Sequence, residues 1–123
     1  MRYDLEERCA KFGELVIIFL KTIPYNGITQ PLIKQLVRSA TSIGANYMEA
    51  NQASSKRDFQ NKIRLSQKEA NETKHWLRML ASAFSDKKED CRKLWQEAHE
   101  LTLIFAKISK QCRLASEFKG LKN

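Results

Sequence analysis

Apolar residues recur at alternating spacings of three and four along four long stretches of this chain, and this spacing restricts the fold more than any other feature. In the first stretch they are Leu5, Cys9, Phe12, Val16, Phe19 and Ile23. The same spacing runs from Ile33 to Ala50, from Phe59 to Phe84 and from Cys91 to Ala115. Such a repeat places apolar residues on one face of an α-helix. The chain is therefore predicted to be all-α.

Short breaks separate the four stretches. Pro24 and Gly27 interrupt the first pattern, residues 51–54 form a largely polar link, and Ser85 with Asp86 forms the third break. Antiparallel helices need only short connections, so we predict a single domain, residues 1–123, that folds as an antiparallel up-down-up-down four-helix bundle. The predicted helices span about 4–23, 30–51, 55–84 and 86–117.

Polar residues at the predicted helix starts match helix-capping patterns. Asp4 and Ser55 are each followed three residues later by an acidic residue, which is the spacing of a capping box. Thr29 is a third candidate cap, with Pro31 tolerated in the first turn. Within the second helix, Gly44 should cost about 1 kcal/mol relative to alanine. We therefore expect another helix to pack closely against Gly44.

The chain carries excess positive charge, with 22 Lys and Arg against 14 Asp and Glu and a net charge of +8. Predicted helix three holds half of this excess, since seven basic residues there accompany three acids. The up-down-up-down topology brings the N-terminus, the link between helices two and three, and the C-terminus to one end. This end should gather a basic cluster that binds RNA or DNA phosphates without reading bases: Arg2, Lys56, Arg57, Lys110, Arg113, Lys119 and Lys122. The alternative is an ordinary solvated helix surface.

The cysteines and the N-terminal segment indicate a reducing compartment. Cys9, Cys91 and Cys112 occupy predicted core positions, where cysteine packs as a small hydrophobic residue. An odd number of cysteines without a signal peptide argues for free thiols. The N-terminal segment carries acidic residues, and the longest apolar run, residues 15–20, is too short to cross a bilayer. We therefore expect a cytoplasmic protein with no membrane partner.

The sequence gives no positive sign of catalysis or of a bound cofactor. Glu69, Glu72 and His75 imitate part of a di-iron bundle site, but such a site needs a Glu-x-x-His pair on two helices and carboxylates from two more. The sequence contains no glycine-rich phosphate loop or nucleophile elbow. We therefore predict a non-enzymatic protein without a metal, a cofactor or a small-molecule substrate.

Two runs in the second and third helices carry the most distinctive polar residues. RSATSIGANYMEANQASSKRDF begins at Arg38, and KEANETKHWLRML begins at Lys68. They resemble the four-helix-bundle family of proteins encoded in 23S rRNA intervening sequences, also labelled S23 ribosomal protein. The family patterns R-x-A-x-S-I-x-x-N-I-A-E-G and S-K-x-[DE]-F match at Arg38, Ala40, Ser42, Ile43, Asn46, Glu49, Ser55, Lys56, Asp58 and Phe59.

A further family pattern, K-E-A-x-E-T-x-Y-W-L, lies in the third helix. It matches at Lys68, Glu69, Ala70, Glu72, Thr73, Trp76 and Leu77. His75 stands where the family more commonly has tyrosine, and Ala50 stands where it usually has glycine. Because glycine ends helices readily, we expect helix two to end later or less sharply here.

The resemblance implies an assembly as well as a fold. The family is similar to the accessory variability protein of diversity-generating retroelements, a basic, barrel-shaped homopentamer that associates with a reverse transcriptase and nucleic acid. It therefore implies that this chain forms a ring-shaped homo-oligomer. Apolar residues outside the main helical patterns, such as Leu15, Leu65 and Leu103, fit such an assembly.

Four polar residues of the matched runs are candidates for assembly: Asn46, Glu49, Glu69 and Glu72. On neighbouring antiparallel helices they are predicted to form a hydrogen-bond network within or between subunits, which would set register and oligomeric state. The alternative is ordinary exposed helix polarity.

Sequence and resemblance together predict a non-enzymatic, homo-oligomeric bundle that binds RNA or another nucleic acid by charge and shape. The alternative is a protein-interaction adaptor, such as a partner of a polymerase or reverse transcriptase, that does not bind nucleic acid directly.

Overall fold

A computed structural model of the chain describes the backbone of residues 2–122 and the side chains of residues 4–118 and 120. It contains four α-helices: α1 (Arg2–Leu20), α2 (Thr29–Asn51), α3 (Lys56–Ala83) and α4 (Lys88–Lys122). A short 3₁₀ turn, Ser85–Lys87, precedes α4, and the described residues include no β-strand. The predicted all-α fold is confirmed.

The helices form an antiparallel up-down-up-down bundle, as predicted. Each helix packs against its two neighbours in the cyclic order α1, α2, α3, α4. Among the described residues, the backbones of the diagonal pairs, α1 with α3 and α2 with α4, do not approach closely. The surfaces of α1 and α3 therefore face opposite sides of the molecule. None of the described helices is both long and apolar enough to span a membrane.

The core consists of the predicted apolar patterns. Val16 of α1, Leu36 of α2, Ile63 of α3 and Leu101 of α4 are fully buried. The rings of Tyr47 and Phe105 meet edge to face across the bundle, with centroids 5.6 Å apart. The pattern in α4 continues past the core, since Cys112 is half-buried and Ala115 is exposed. The last turns of α4 therefore have less of the bundle to pack against.

Small residues let α2 approach its neighbours. A Cβ atom built on Gly44 would lie 3.3 Å from Cys9 Cβ, so α1 occupies the space that a side chain would need. This close approach confirms the packing role predicted for Gly44. On the other side, the buried Ser66 hydroxyl donates to the Ile43 carbonyl at 3.0 Å, which joins α3 to α2.

Four helix ends differ from the prediction by two residues or more. Helix α1 ends at Leu20 instead of residue 23, because the N–H groups of Thr22 and Ile23 bond three residues back in a tighter turn. It also begins at Arg2, so Asp4 lies inside its first turn and is not its cap. Helix α4 begins at Lys88, after the 3₁₀ turn, and runs beyond the predicted end at residue 117. Helix α2 ends at Asn51, where the prediction placed its end.

Ser55 caps α3 as predicted, whereas Thr29 does not cap α2. The Ser55 hydroxyl accepts the Asp58 N–H at 3.0 Å. At α2, the side-chain oxygen of Asn26 accepts the N–H groups of Ile28 and Thr29, at 2.9 and 3.0 Å. Thr29 is the first helical residue, and its hydroxyl donates to the Pro24 carbonyl. The loop, and not the helix pattern, therefore supplies this cap.

The predicted core cysteines are free thiols. Cys9 and Cys91 are buried, and Cys112 is half-buried. Burial raises the thiol pKa of Cys9 to about 12 and that of Cys91 to about 11. Both are therefore neutral, unreactive side chains at physiological pH.

Candidate nucleic-acid interface

The start of α3 presents two cations at one end of the bundle. Lys56 and Arg57 follow the Ser55 cap directly and are both exposed. The N-terminus of a helix carries a partial positive charge and free N–H groups. Lys56 and Arg57 add to that potential, while Asp58 in the same turn offsets part of it. This end of α3 is therefore suited to an anionic ligand.

A groove joins these cations to the C-terminal part of α4. It has a volume of about 590 Å³ and is lined by Lys56, Arg57, Phe59, Gln60, Cys112, Ala115 and Ser116. The same stretch of α4 carries Lys110 and Arg113, which are both exposed. Arg113 Nε lies 3.9 Å from a carboxylate oxygen of Glu117, a contact at the limit of an ion pair. The structure thus brings four of the predicted cations to one end.

The remaining members of the predicted basic cluster are Arg2, Lys119 and Lys122, and they lie outside the residues whose side chains are described. The same end of the bundle also carries acids. Glu6 and Glu7, in the first turns of α1, line a groove between α1 and α2 together with Glu14. Since α1 lies diagonally opposite α3, these acids lie away from Lys56 and Arg57.

Two of the four predicted assembly residues are held by one arginine. Arg38 of α2 contacts both carboxylate oxygens of Glu69 at 3.1 and 3.3 Å and also binds Glu72. Glu72 accepts a further hydrogen bond from Trp76 Nε1 at 3.2 Å. Burial lowers the pKa of Arg38, but the charges and hydrogen bonds of the two carboxylates outweigh it and raise the pKa overall. This cluster ties α2 to α3.

The other two predicted assembly residues lie elsewhere on the α2–α3 surface. A carboxylate oxygen of Glu49 accepts a hydrogen bond from Lys62 Nζ at 2.9 Å, and this bond raises the pKa of Lys62. The side-chain amide of Asn46 donates to the Ser42 carbonyl of its own helix at 3.0 Å. The four residues therefore do not share one network within the chain, and their role in assembly stays a prediction.

The residues that imitate a metal site have other partners. Both carboxylates are bound to Arg38, while the exposed His75 ring meets Trp76 edge-on at 4.9 Å. Within the described part of the chain, no group of three His, Cys, Asp or Glu side chains is placed to hold a metal ion.

Sequence reasoning missed two polar contacts that also join neighbouring helices. Arg8 of α1 forms two hydrogen bonds of 2.8 Å with Glu97 of α4. Lys74 of α3 lies 3.2 Å from His99 and 5.3 Å from the centre of the Trp95 ring. Arg38 was noticed only as part of a family pattern. The available signal was a basic residue on α2 and two acids three residues apart on α3. Which of these side chains meet depends on the register between the two helices.

Comparisons with known proteins agree with this fold. The family described as 23S rRNA-intervening sequence protein matches residues 3–107. A solved structure from Bacteroides thetaiotaomicron, a protein of unknown function from the S23 ribosomal protein family, is 30% identical with a TM-score of 0.77. The similarity covers 89% of this chain and 99% of that one. No curated protein matches the chain. The family match and the solved relative show that the chain belongs to the 23S rRNA-intervening sequence protein family.

Proposed function

We propose that this protein is a non-enzymatic, homo-oligomeric bundle that binds RNA or another nucleic acid by charge and shape. The observation that carries the proposal is the basic groove between the start of α3 and the C-terminal part of α4. Lys56 and Arg57 line it, and Arg113 lies on the α4 stretch that forms its other wall. A net charge of +8 favours a polyanionic partner in the same way.

Self-association is the second part of the proposal. Three aliphatic side chains lie exposed within four residues of α1: Leu15, Ile17 and Ile18 are 43%, 39% and 61% exposed. Covering them with a second copy would remove apolar surface from water. Light scattering should give a mass of several chains. Ile18→Glu should shift that mass towards a single chain, whereas Lys34→Glu, an exposed control on α2, should not.

Binding to generic RNA at two salt concentrations tests the nucleic-acid part. We expect a gel shift that weakens steeply with salt, because each phosphate contact releases a condensed counterion. Lys56→Ala combined with Arg57→Ala should weaken binding by roughly tenfold and lower the salt slope by about 1.5 to 2. Lys21→Ala combined with Lys34→Ala removes equal charge from other exposed positions and should have little effect.

The opposite result favours a protein-interaction adaptor. An oligomer of normal size that binds neither RNA nor DNA at low salt would overturn the nucleic-acid proposal.

A further inference from the structure

The exposed side of α3 carries cations, neutral polar groups and the aliphatic residue Leu65, which is 38% exposed, and it lacks acids. At alternating spacings of four and three, its exposed residues form one row that we call the α3 stripe: Arg57, Asn61, Arg64, Lys68, Asn71, His75, Arg78 and Ser82. This spacing keeps them on one side of the helix. From Arg57 to Arg78 the stripe extends over about 32 Å, at 1.5 Å per residue.

Packing of the bundle has sorted the charges of α3. Its three acids, Asp58, Glu69 and Glu72, are all half-buried, and the last two point to Arg38 of α2. Two of its cations are also half-buried and partnered, Lys62 with Glu49 and Lys74 with His99. The cations of the stripe have no ion pair among the described side chains: Arg57, Arg64, Lys68 and Arg78.

Such a row differs from an ordinary solvated helix surface. Solvated surfaces usually mix charges of both signs, because opposite charges four residues apart support a helix and like charges weaken it. Arg64 and Lys68 are four residues apart with the same charge. The stripe therefore carries self-repulsion that a bound polyanion would relieve.

Neighbouring elements extend the positive potential at both ends of the stripe. Near Arg78, the hollow between α3 and α4 is also lined by Lys88 and by Arg92, and an ion pair with Glu89 offsets the charge of Arg92. At the other end, Arg57 shares its groove with Lys56. The acids of α1 lie on the diagonally opposite helix, away from the stripe.

We propose that the α3 stripe is the docking surface for the phosphodiester backbone of a nucleic acid that lies along α3. Arg64, Lys68 and Arg78 bind phosphate oxygens, and the amides of Asn61 and Asn71 donate further hydrogen bonds between them. The contact reads backbone and not bases. This inference rests on the proposed function and extends the nucleic-acid contact from the groove at the end of the bundle along the side of α3.

A matched pair of triple variants tests the stripe. The stripe variant is Arg64→Gln, Lys68→Gln and Arg78→Gln, which keeps good helix formers at each position. The control variant, Lys11→Gln, Lys21→Gln and Lys34→Gln, removes the same charge from exposed positions outside α3. Fluorescence anisotropy with a labelled RNA of about 20 nucleotides, single-stranded and as a duplex, gives the affinity over a KCl series. Circular dichroism checks that each variant is folded.

The stripe variant should bind at least one of the two RNA forms roughly tenfold more weakly than the wild type. Its salt slope should fall by about 2 to 3, because three phosphate contacts are lost. The control should stay within about threefold, as expected for a change in net charge alone. The stripe variant should have normal helix content, and its melting temperature should be no lower than that of the wild type, because the substitutions remove like-charge repulsion.

Three outcomes would overturn the inference. If both triple variants weaken binding equally, only net charge matters. If the stripe variant binds normally while Lys56→Ala with Arg57→Ala does not, the interface is the end of the bundle and the proposed function stands without the stripe. If the wild-type protein binds neither RNA, the proposed function and the stripe fail together.

Discussion

Removing Arg38 should lower the free energy of unfolding by about 1.5 kcal/mol. Its guanidinium contacts both oxygens of Glu69, whose side chain is 15% exposed, and also binds Glu72, which is 30% exposed. Exposed ion pairs contribute roughly 0.2 to 1 kcal/mol, and well-aligned arginine pairs lie at the upper end. We therefore assign about 1 kcal/mol to the pair with Glu69 and about 0.5 kcal/mol to the pair with Glu72.

A double-mutant cycle isolates the first of these values. Urea denaturation of the wild type, Arg38→Ala, Glu69→Ala and the double variant should give a coupling energy of about 1 kcal/mol. Arg38→Ala alone should lower the melting temperature by about 6 °C, at about 4 °C per kcal/mol for a chain of this length. Arg64→Ala is the control, because this exposed arginine has no ion pair among the described side chains. Its effect should stay within about 0.5 kcal/mol.

A coupling energy below about 0.3 kcal/mol would refute the reasoning, because the Glu69 carboxylate would then gain nothing from Arg38 beyond what water provides. The same variants address assembly. If Glu69 and Glu72 set the oligomeric state, Glu69→Ala and Glu72→Ala should each change the mass measured by light scattering. Unchanged mass and melting in both variants would remove the network prediction.

Three further predictions concern the cysteines and the core. Cys112 should react first with a maleimide in the native protein at pH 8, because burial raises the pKa of Cys9 to about 12 and that of Cys91 to about 11. Mass spectrometry locates the label. Early labelling of Cys9 would contradict its burial. Both thiol pKa values lie above the ordinary 9.0, so the stability that the neutral thiols contribute is complete below pH 9 and should decline towards pH 12. Urea denaturation at several pH values measures this decline. Cys9→Ala should make it shallower. Phe105→Ala should lower the free energy of unfolding, measured by urea denaturation, by about 3 to 5 kcal/mol, because the ring is fully buried. Leu103 is 56% exposed, so Leu103→Ala should lower it by less than about 0.5 kcal/mol.

The spacing of apolar residues was enough to predict the helices, their order and most of the core. Val16, Leu36, Ile63 and Leu101 were all predicted core positions, and all are fully buried. This succeeded because helical periodicity is local: the angle between two side chains about one helix axis follows from their separation in sequence. The family patterns of α2 and α3 were equally readable, because residue identity and spacing were sufficient to recognise them.

The placement of charges could not be read from the sequence. From the sequence, the seven basic residues and three acids of α3 indicate only a helix of mixed charge. In the bundle, all three acids are half-buried and the residues of the stripe are exposed. Arg38 and Glu69 are 31 residues apart, and Arg8 and Glu97 are 89 apart. Some helix ends could not be predicted for a similar reason, because the cap of α2 comes from Asn26 in the preceding loop. Sequence alone therefore determined which residues line each helix, whereas the rotation and register of the packed helices decided which charges meet and which face solvent.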